Sequence, residues 1–261
     1  MFAKKSLGQN FLMHPQIAER IVHAAKLPEG AQVLEIGPGT GMLTRALLAN
    51  GATVVAVEAD NELAPQMEES FAADISTGSL RVIHGDIRVF DPATIDGEYH
   101  VVANIPYYIT GEIIRSFLTS THKPSSMTLL VQKEVAERIA RSKKESLLSL
   151  SVKVFGTPEY CFTVPRGAFR PAPNVDSAVL AIRNIDMSAF VNKKAEEYFF
   201  SVVRTGFAHK RKRLAKNLEE IAPAAHIAAA FDAASLTKDI RPEDLSLSDW
   251  KQLTASLVQS A

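Results

Sequence analysis

The sequence predicts an α/β fold: a mainly parallel sheet with helices on both faces, followed by a helical tail. Three observations carry this reading. Short apolar runs of strand composition alternate with segments of helical spacing from about residue 15 to residue 141, a pattern that defines a parallel sheet with crossover helices. A glycine-rich turn, Gly37-Pro38-Gly39-Thr40-Gly41, links the first of those strands to its helix. Past about residue 187 the strand-like runs stop and the chain becomes Ala-rich and charged.

The elements follow in order. Ile17, Ile21 and Val22 recur at helical spacing over residues 15–25. Residues 32–36 read as a strand and 41–50 as a helix. Residues 53–57 form the next strand, with a helix over about 61–73. A third strand covers 80–84 and a fourth 99–103, the latter followed by a helix at 111–118. A fifth strand at 127–131 leads into a helix at 132–141. Beyond Leu147, residues 160–164 and 178–182 read as two strands around the proline-rich loop 169–173, paired as an antiparallel edge. The boundary falls near 184–188, which divides the chain into 1–186 and a small helical domain over 187–261.

At 261 residues, 46% of them hydrophobic, the chain has ample material for a core. Lys+Arg and Asp+Glu both number 29, so attraction to a polyanion must come from local patches rather than net charge. The single cysteine, Cys161, excludes an internal disulfide and fits a reducing compartment. No apolar run approaches the ~18 residues of a membrane span, and residues 1–8 lack a signal-peptide core. The expectation is a soluble, cytoplasmic protein that does not engage membranes. Seven scattered histidines without metal-ligand spacing imply no protein-bound metal.

Four strand ends carry candidate ligand groups. Glu35-Ile36-Gly37-Pro38-Gly39-Thr40-Gly41 lets the backbone approach a ligand at the end of the first strand. A dinucleotide fingerprint would carry its third glycine one residue later, and a plain tight turn is the simpler explanation of the loop alone. Glu58 ends the second strand, where a carboxylate accepts both ribose hydroxyls through bonds worth roughly 1.5–3 kcal/mol each. Asp86 follows the third strand and suits the amino group of an adenine. Singly, each acid would more simply be a helix cap or a solvated loop charge. Asn104 ends the fourth strand, and together the four sites occupy the ligand-binding edge of an open α/β sheet. With no P-loop lysine and no cationic cluster for a phosphate, this set favours S-adenosylmethionine over NAD or ATP, and it argues against a dehydrogenase.

Asn104-Ile105-Pro106-Tyr107 carries the most chemistry. An amide side chain, an outward-held Pro106 carbonyl and the Tyr107 ring meet there at a strand end. Two acceptors and a flat face suit the exocyclic amine of a nucleobase, although Asn and Pro are also ordinary turn residues.

These motifs, with Ser6-Leu7-Gly8-Gln9-Asn10-Phe11-Leu12 and Phe169-Arg170-Pro171-Ala172-Pro173-Asn174-Val175-Asp176-Ser177, stand in the order and spacing of one family. From about Lys4 to its end, the chain resembles the ribosomal RNA adenine N6,N6-dimethyltransferases, and the bacterial small-subunit branch above all. The resemblance implies a Rossmann-like class I S-adenosylmethionine-dependent methyltransferase domain with a small helical domain. It implies dimethylation of two adjacent adenosines in a hairpin loop near the 3′ end of 16S rRNA, in the small ribosomal subunit or its precursor. By the same carry-over, Asn10, Leu12, Gly37, Glu58, Asp86 and Asn104 contact the cofactor. Tyr107 and Phe169 sandwich the target adenine beside the catalytic Asn104 and Pro106. The large-subunit, antibiotic-resistance branch is the nearest rival; Tyr108-Ile109 and the tail with 241–245 look more like the small-subunit branch. A ribosome-assembly factor whose binding matters more than its catalysis remains a second reading, and the expected state is a monomer.

The tail supplies the cations. No acid occurs from Tyr198 to Leu218, and Arg204, Lys210, Arg211, Lys212, Arg213 and Lys216 crowd this stretch. Phe207, Leu214, Leu218 and Ile221 form the expected buried stripe, with Lys212 and Lys216 one turn apart outside it. A solvated basic face is the plainer reading; beside a base-binding turn, contact with RNA phosphates is the expectation. Lys4 and Lys5 are expected on the same surface.

Overall fold

The computed structural model describes Lys4 and residues 7–186, 188–209 and 212–259. The apolar runs form strands β2 (Gln32–Ile36), β3 (Thr53–Glu58), β4 (Leu80–His84), β5 (His100–Asn104) and β6 (Ser126–Gln132), preceded by a two-residue strand β1 (Phe11–Leu12). Side chains alternate across a strand, and here both faces are covered. Val33, Val54, Ala56, Val102 and Leu130 pack toward the helices α1 (Pro15–Ala25) and α2 (Met42–Ala49). Leu34, Val55, Val101 and Leu129 join the opposite core. Burial on both sides explains why β2, β3, β5 and β6 read as largely apolar runs, while the edge strand β4 exposes Arg81 and His84.

The main sheet has seven strands in the order β4-β3-β2-β5-β6-β9-β7, with β7 (Thr157–Val164) and β9 (Ser177–Arg183) at one edge. All pairs from β4 to β6 are parallel, while β9 runs antiparallel to both β6 and β7. The chain moves outward from β2 to β4, then returns past β2 to β5. That reversal is the switch point at which open α/β sheets bind ligands. The β2–β5 ladder holds only Val33–His100 and Leu34–Val101, so the two strands are unpaired at their carboxyl ends.

The expected antiparallel edge is present, and four details differ from the sequence reading. The helix expected over 61–73 is two, α3 (Leu63–Ser70) and α4 (Ala72–Ser76), broken at Phe71, whose ring is buried. After α5 (Thr110–Thr119) and α6 (Lys133–Ala140), α7 (Leu147–Lys153) is a helix that sequence reading missed, closed at its start by reciprocal Ser146–Ser149 bonds. Its capping box uses serine where glutamate is the usual cue. The loop expected from Phe169 begins as a strand, β8 (Phe169–Arg170), which pairs antiparallel with β1. The strand expected at 99–103 runs from His100 to Asn104.

Past β9 every described regular element is helical: α8 (Lys193–Gly206), α9 (Leu214–Leu218), α10 (Ala224–Ala233), a short 3-10 turn and α11 (Leu247–Gln259). Their apolar faces extend one core of the sheet through Phe199, Phe200, Val203 and Leu214 to Trp250, which is fully buried and stacks on Phe207. Among the described residues no helix is long and apolar enough to cross a membrane.

Candidate cofactor and base-binding crevice

The glycine loop leaves β2 at the switch point. Gly37, Gly39 and Gly41 take φ of 63°, 60° and 77°, the left-handed region that glycine enters at no steric cost. A side-chain carbon at Gly37 would project into open space, whereas one at Gly41 would sit 2.5 Å from the Phe71 ring. The loop thus packs tightly where it starts α2 and leaves a bare backbone where it faces the crevice. Beneath it Glu35 is buried and accepts the Thr44 hydroxyl at 2.7 Å. Burial pushes its carboxyl up to about 8, opposed by the Thr44 bond and assisted by the neighbouring Glu58 charge. Glu35 therefore holds its proton at neutrality and supports the loop without adding charge.

At the end of β3, Glu58 accepts the Gly39 N–H at 3.0 Å through Oε2 and the Asp60 N–H at 2.9 Å through Oε1. Burial raises its pKa, and those backbone bonds act against the rise. Each oxygen retains a lone pair for a further donor. At the end of β4, Asp86 accepts the Arg88 Nε–H at 3.0 Å on both oxygens, and Oδ1 also takes the Arg88 backbone N–H at 2.9 Å. Those Arg88 hydrogen bonds hold its pKa below the usual carboxylate value. Expected as an open acceptor, Asp86 is instead already gripped by a cation two residues away.

Asn104 closes the set at the end of β5. Its Nδ2 donates to the Asn10 carbonyl at 3.0 Å, which fixes the amide plane and leaves Oδ1 as the acceptor. The Pro106 carbonyl accepts one long bond, from the Ile109 N–H at 3.3 Å. Tyr107 is half-buried, its hydroxyl 2.6 Å from Ser177 Oγ. Gly37, Glu58, Asp86, Asn104, Pro106 and Tyr107 all line one crevice, so six of the expected residues converge.

The N-terminal segment closes over them. Asn10 and Leu12 line the same crevice, Asn10 through the carbonyl bound to Asn104, and Leu12 as a buried residue paired with Phe169. Asp60 anchors the segment: its Oδ1 accepts from Lys4 Nζ at 2.7 Å and its Oδ2 from Gln9 Nε2 at 2.8 Å. Burial alone would raise the Asp60 pKa; the bonds from Lys4, the Glu62 N–H and Gln9 outweigh it and hold the group at about 2. Lys4, expected on the RNA surface, is committed to Asp60 and Glu62 at the crevice. Lys5 lies outside the described residues. Phe169, expected as the second ring against the base, is 4% exposed, packs in the core opposite Leu12 and does not line the crevice. Sequence reading missed Gln9, Asp60, Arg88 and Ser177. Gln9 and Ser177 stand inside the quoted motifs without a role of their own, and Asp60 left a local signal as a second acid two residues past Glu58.

In the tail, Arg204, Lys212, Arg213 and Lys216 are exposed, while Lys210 and Arg211 lie outside the described residues. Two of the cations find acids beyond the acid-free run: Arg213 pairs with Asp239 at 2.9 Å, and Lys216 pairs with Glu219. Leu214 and Leu218 are buried as expected, but Ile221 is 41% exposed. α9 starts at Leu214, so Lys212 precedes the helix and does not share a turn of it with Lys216. Among the described residues no three His, Cys, Asp or Glu side chains gather as a metal site requires.

This topology, with acid and glycine groups at adjacent strand ends, is the Rossmann-like fold of class I methyltransferases. Two solved structures share it over nearly the whole chain. One is the 23S rRNA methyltransferase ErmE, with a TM-score of 0.75 and 27% identity, covering 96% of this chain and 100% of that one. The other is a dimethyladenosine transferase from Plasmodium falciparum, with a TM-score of 0.80 and 24% identity, covering 96% and 98%. The family model described as ribosomal RNA adenine dimethylase matches residues 2–259, and the chain belongs to that family. Relatives named ribosomal RNA small subunit methyltransferase A include one from Dehalococcoides mccartyi, 38% identical over 96% of this chain and 87% of its own length. Another, from Streptococcus thermophilus, is 37% identical over 97% and 91%. Members of this family are S-adenosylmethionine-dependent methyltransferases.

Proposed function

We propose that this protein binds S-adenosylmethionine in the crevice and dimethylates N6 of two adjacent adenosines in the 3′ hairpin of 16S rRNA, within the small ribosomal subunit or its precursor in the cytoplasm. The observation that carries the reading is the convergence of Asn104, Pro106 and Tyr107 with Gly37 and Glu58 at the switch point. The residues fit the cofactor. Glu58 keeps lone pairs for a ribose, and Gly37 offers bare backbone beside open space. Asp86, Asn10 and Leu12 line the same crevice, Asp86 as the group that would meet the adenine.

When bound, the sulfonium supplies an already activated methyl group. The chain's residues then position the acceptor. An N6 lone pair delocalised into a purine is a poor nucleophile. Asn104 Oδ1 and the Pro106 carbonyl accept the amino hydrogens, which favours a pyramidal nitrogen with its lone pair toward the methyl. Transfer would form the N–C bond at the expense of the donor's S–C bond and release the N6 proton to water, while Asn104 and Pro106 hold the amine. Tyr107 stacks on the base, an interaction worth about 1–3 kcal/mol, and its bond to Ser177 fixes the ring in advance. Positioning and fixed dipoles supply the acceleration. Phe169 would complete the sandwich only if the β1–β8 pair shifts when RNA binds. The region 187–261 contributes RNA contacts through Arg204, Lys212, Arg213 and Lys216, together with Lys210 and Arg211. Small-subunit relatives at 37–38% identity favour that subunit over the large one.

The test offers labelled methyl donor with unmethylated small subunits, large subunits and free 16S rRNA. Label confined to small-subunit material supports the reading. Label in large subunits alone refutes it.

A further inference from the structure

We propose that Tyr108 is the stacking platform for the nucleotide flanking the target base, a positioning role that rests on the methyltransfer reading above. Consecutive tyrosines in the short turn at 107–109 have opposite fates. Tyr107 is half-buried and tied to Ser177, whereas Tyr108 is 61% exposed. No Phe, Tyr or Trp ring among the described residues is more exposed.

The ring is exposed but not loose. It lines the same crevice as Asn104 and Tyr107. One edge rests against Gly8, where an added side-chain carbon would lie 3.0 Å from Tyr108 Cε1 and 3.1 Å from Cδ1. Gly8 takes φ of 61°, a conformation glycine enters freely, and having no side chain it brings the backbone of the N-terminal segment, a strap across the crevice, directly against the ring. The strap is anchored in turn, through the Asn10 carbonyl on Asn104 and through Gln9 and Lys4 on Asp60. A large flat surface thus lines the site with one edge against an anchored backbone. Arg88, paired with Asp86, lines the same crevice and places a cation there.

Extruding a nucleotide into a pocket leaves its neighbours without a stacking partner. An aromatic face beside the pocket mouth restores one of those contacts and tolerates any base, since every base has a π-face. Tyr107 and Tyr108 then divide the work along the strand: the first holds the reacting base, the second holds the base next to it.

The experiment compares wild type, Tyr108→Ala and Tyr108→Phe on small subunits reconstituted with 16S rRNA. The RNA is either intact or abasic at the nucleotide on one side of the target, each side in turn. Tyr108→Ala should raise KM roughly 5- to 150-fold on intact subunits, the worth of one stacked base, with kcat changed less than threefold. Tyr108→Phe should stay within twofold of wild type. An abasic neighbour on one side should raise the wild-type KM by a similar factor and add less than twofold to Tyr108→Ala. S-adenosylmethionine affinity should be unchanged in both variants. The proposal is overturned if Tyr108→Ala matches wild type, if neither abasic substitution costs that variant less than it costs wild type, or if cofactor affinity falls tenfold. Failure of the underlying reading is distinct: wild type would then place no methyl on any rRNA adenine.

Discussion

Asp60→Asn should release the N-terminal segment. An ordinary Asp titrates at 3.8, and the bonds from Lys4, Glu62 and Gln9 overcome the cost of burying Asp60 to hold it at about 2. That difference corresponds to about 2 kcal/mol of linkage. Lys4 is 32% exposed, so solvent screening reduces the figure to about 1–2 kcal/mol. The sign follows from the direction of the shift. A depressed carboxylate contributes stability that is complete above pH 3.8 and lost as pH falls through about 2. At pH 7 the variant lacks the charge altogether and presents an amide N–H toward Gln9 Nε2, itself a donor. Amide exchange at residues 7–12, which reports local opening, should accelerate roughly 5- to 30-fold at pH 7. Exchange rates equal to wild type at that pH would refute the anchoring role of Asp60.

Asn104→Ala should lower turnover at saturating cofactor about 100- to 1,000-fold, the scale set by deleting one preorganised polar contact; single-turnover methyl transfer checks it, and near-normal turnover removes Asn104 from the mechanism. Glu35→Gln should flatten the pH dependence of stability. In wild type the unfolded Glu35 ionises near 4.5 while the folded group holds its proton to about 8, so stability falls as pH rises across that window. Urea midpoints measured from pH 5 to 8 should drift downward for wild type and less for the variant, and parallel curves would contradict the assignment. Neutralising Arg204, Lys212 and Lys216 together should weaken small-subunit binding and make log K against log salt shallower by up to about three ions; an unchanged slope would move the RNA contact elsewhere.

What the sequence disclosed is what local chemistry encodes. Residues 32–36, 53–57 and 127–131 announce themselves because burial on both faces favours apolar runs. Gly37, Glu58, Asp86 and Asn104 could be gathered because strand ends in this topology share one edge. What stayed hidden is the pairing between segments far apart in the chain. Nothing near Lys4 indicates that its ammonium reaches Asp60, 56 residues away. Nothing near Phe169 indicates that a two-residue ladder with Leu12 draws its ring into the core. Strands that short have no periodicity to detect. The helix at 147–153 was missed because its cap relies on serine at both ends of the box. Ile221 was placed on a buried stripe by extending a helical period past Leu218, where α9 has already ended.

The most direct test maps the product. Unmethylated small subunits are incubated with the enzyme and isotope-labelled S-adenosylmethionine, and their 16S rRNA is digested and read by mass spectrometry, with Asn104→Ala as the blank. The account predicts labelled N6,N6-dimethyladenosine at two neighbouring positions in the 3′ hairpin, absent from the blank. Label on another atom or base, or equal labelling by Asn104→Ala, would contradict it.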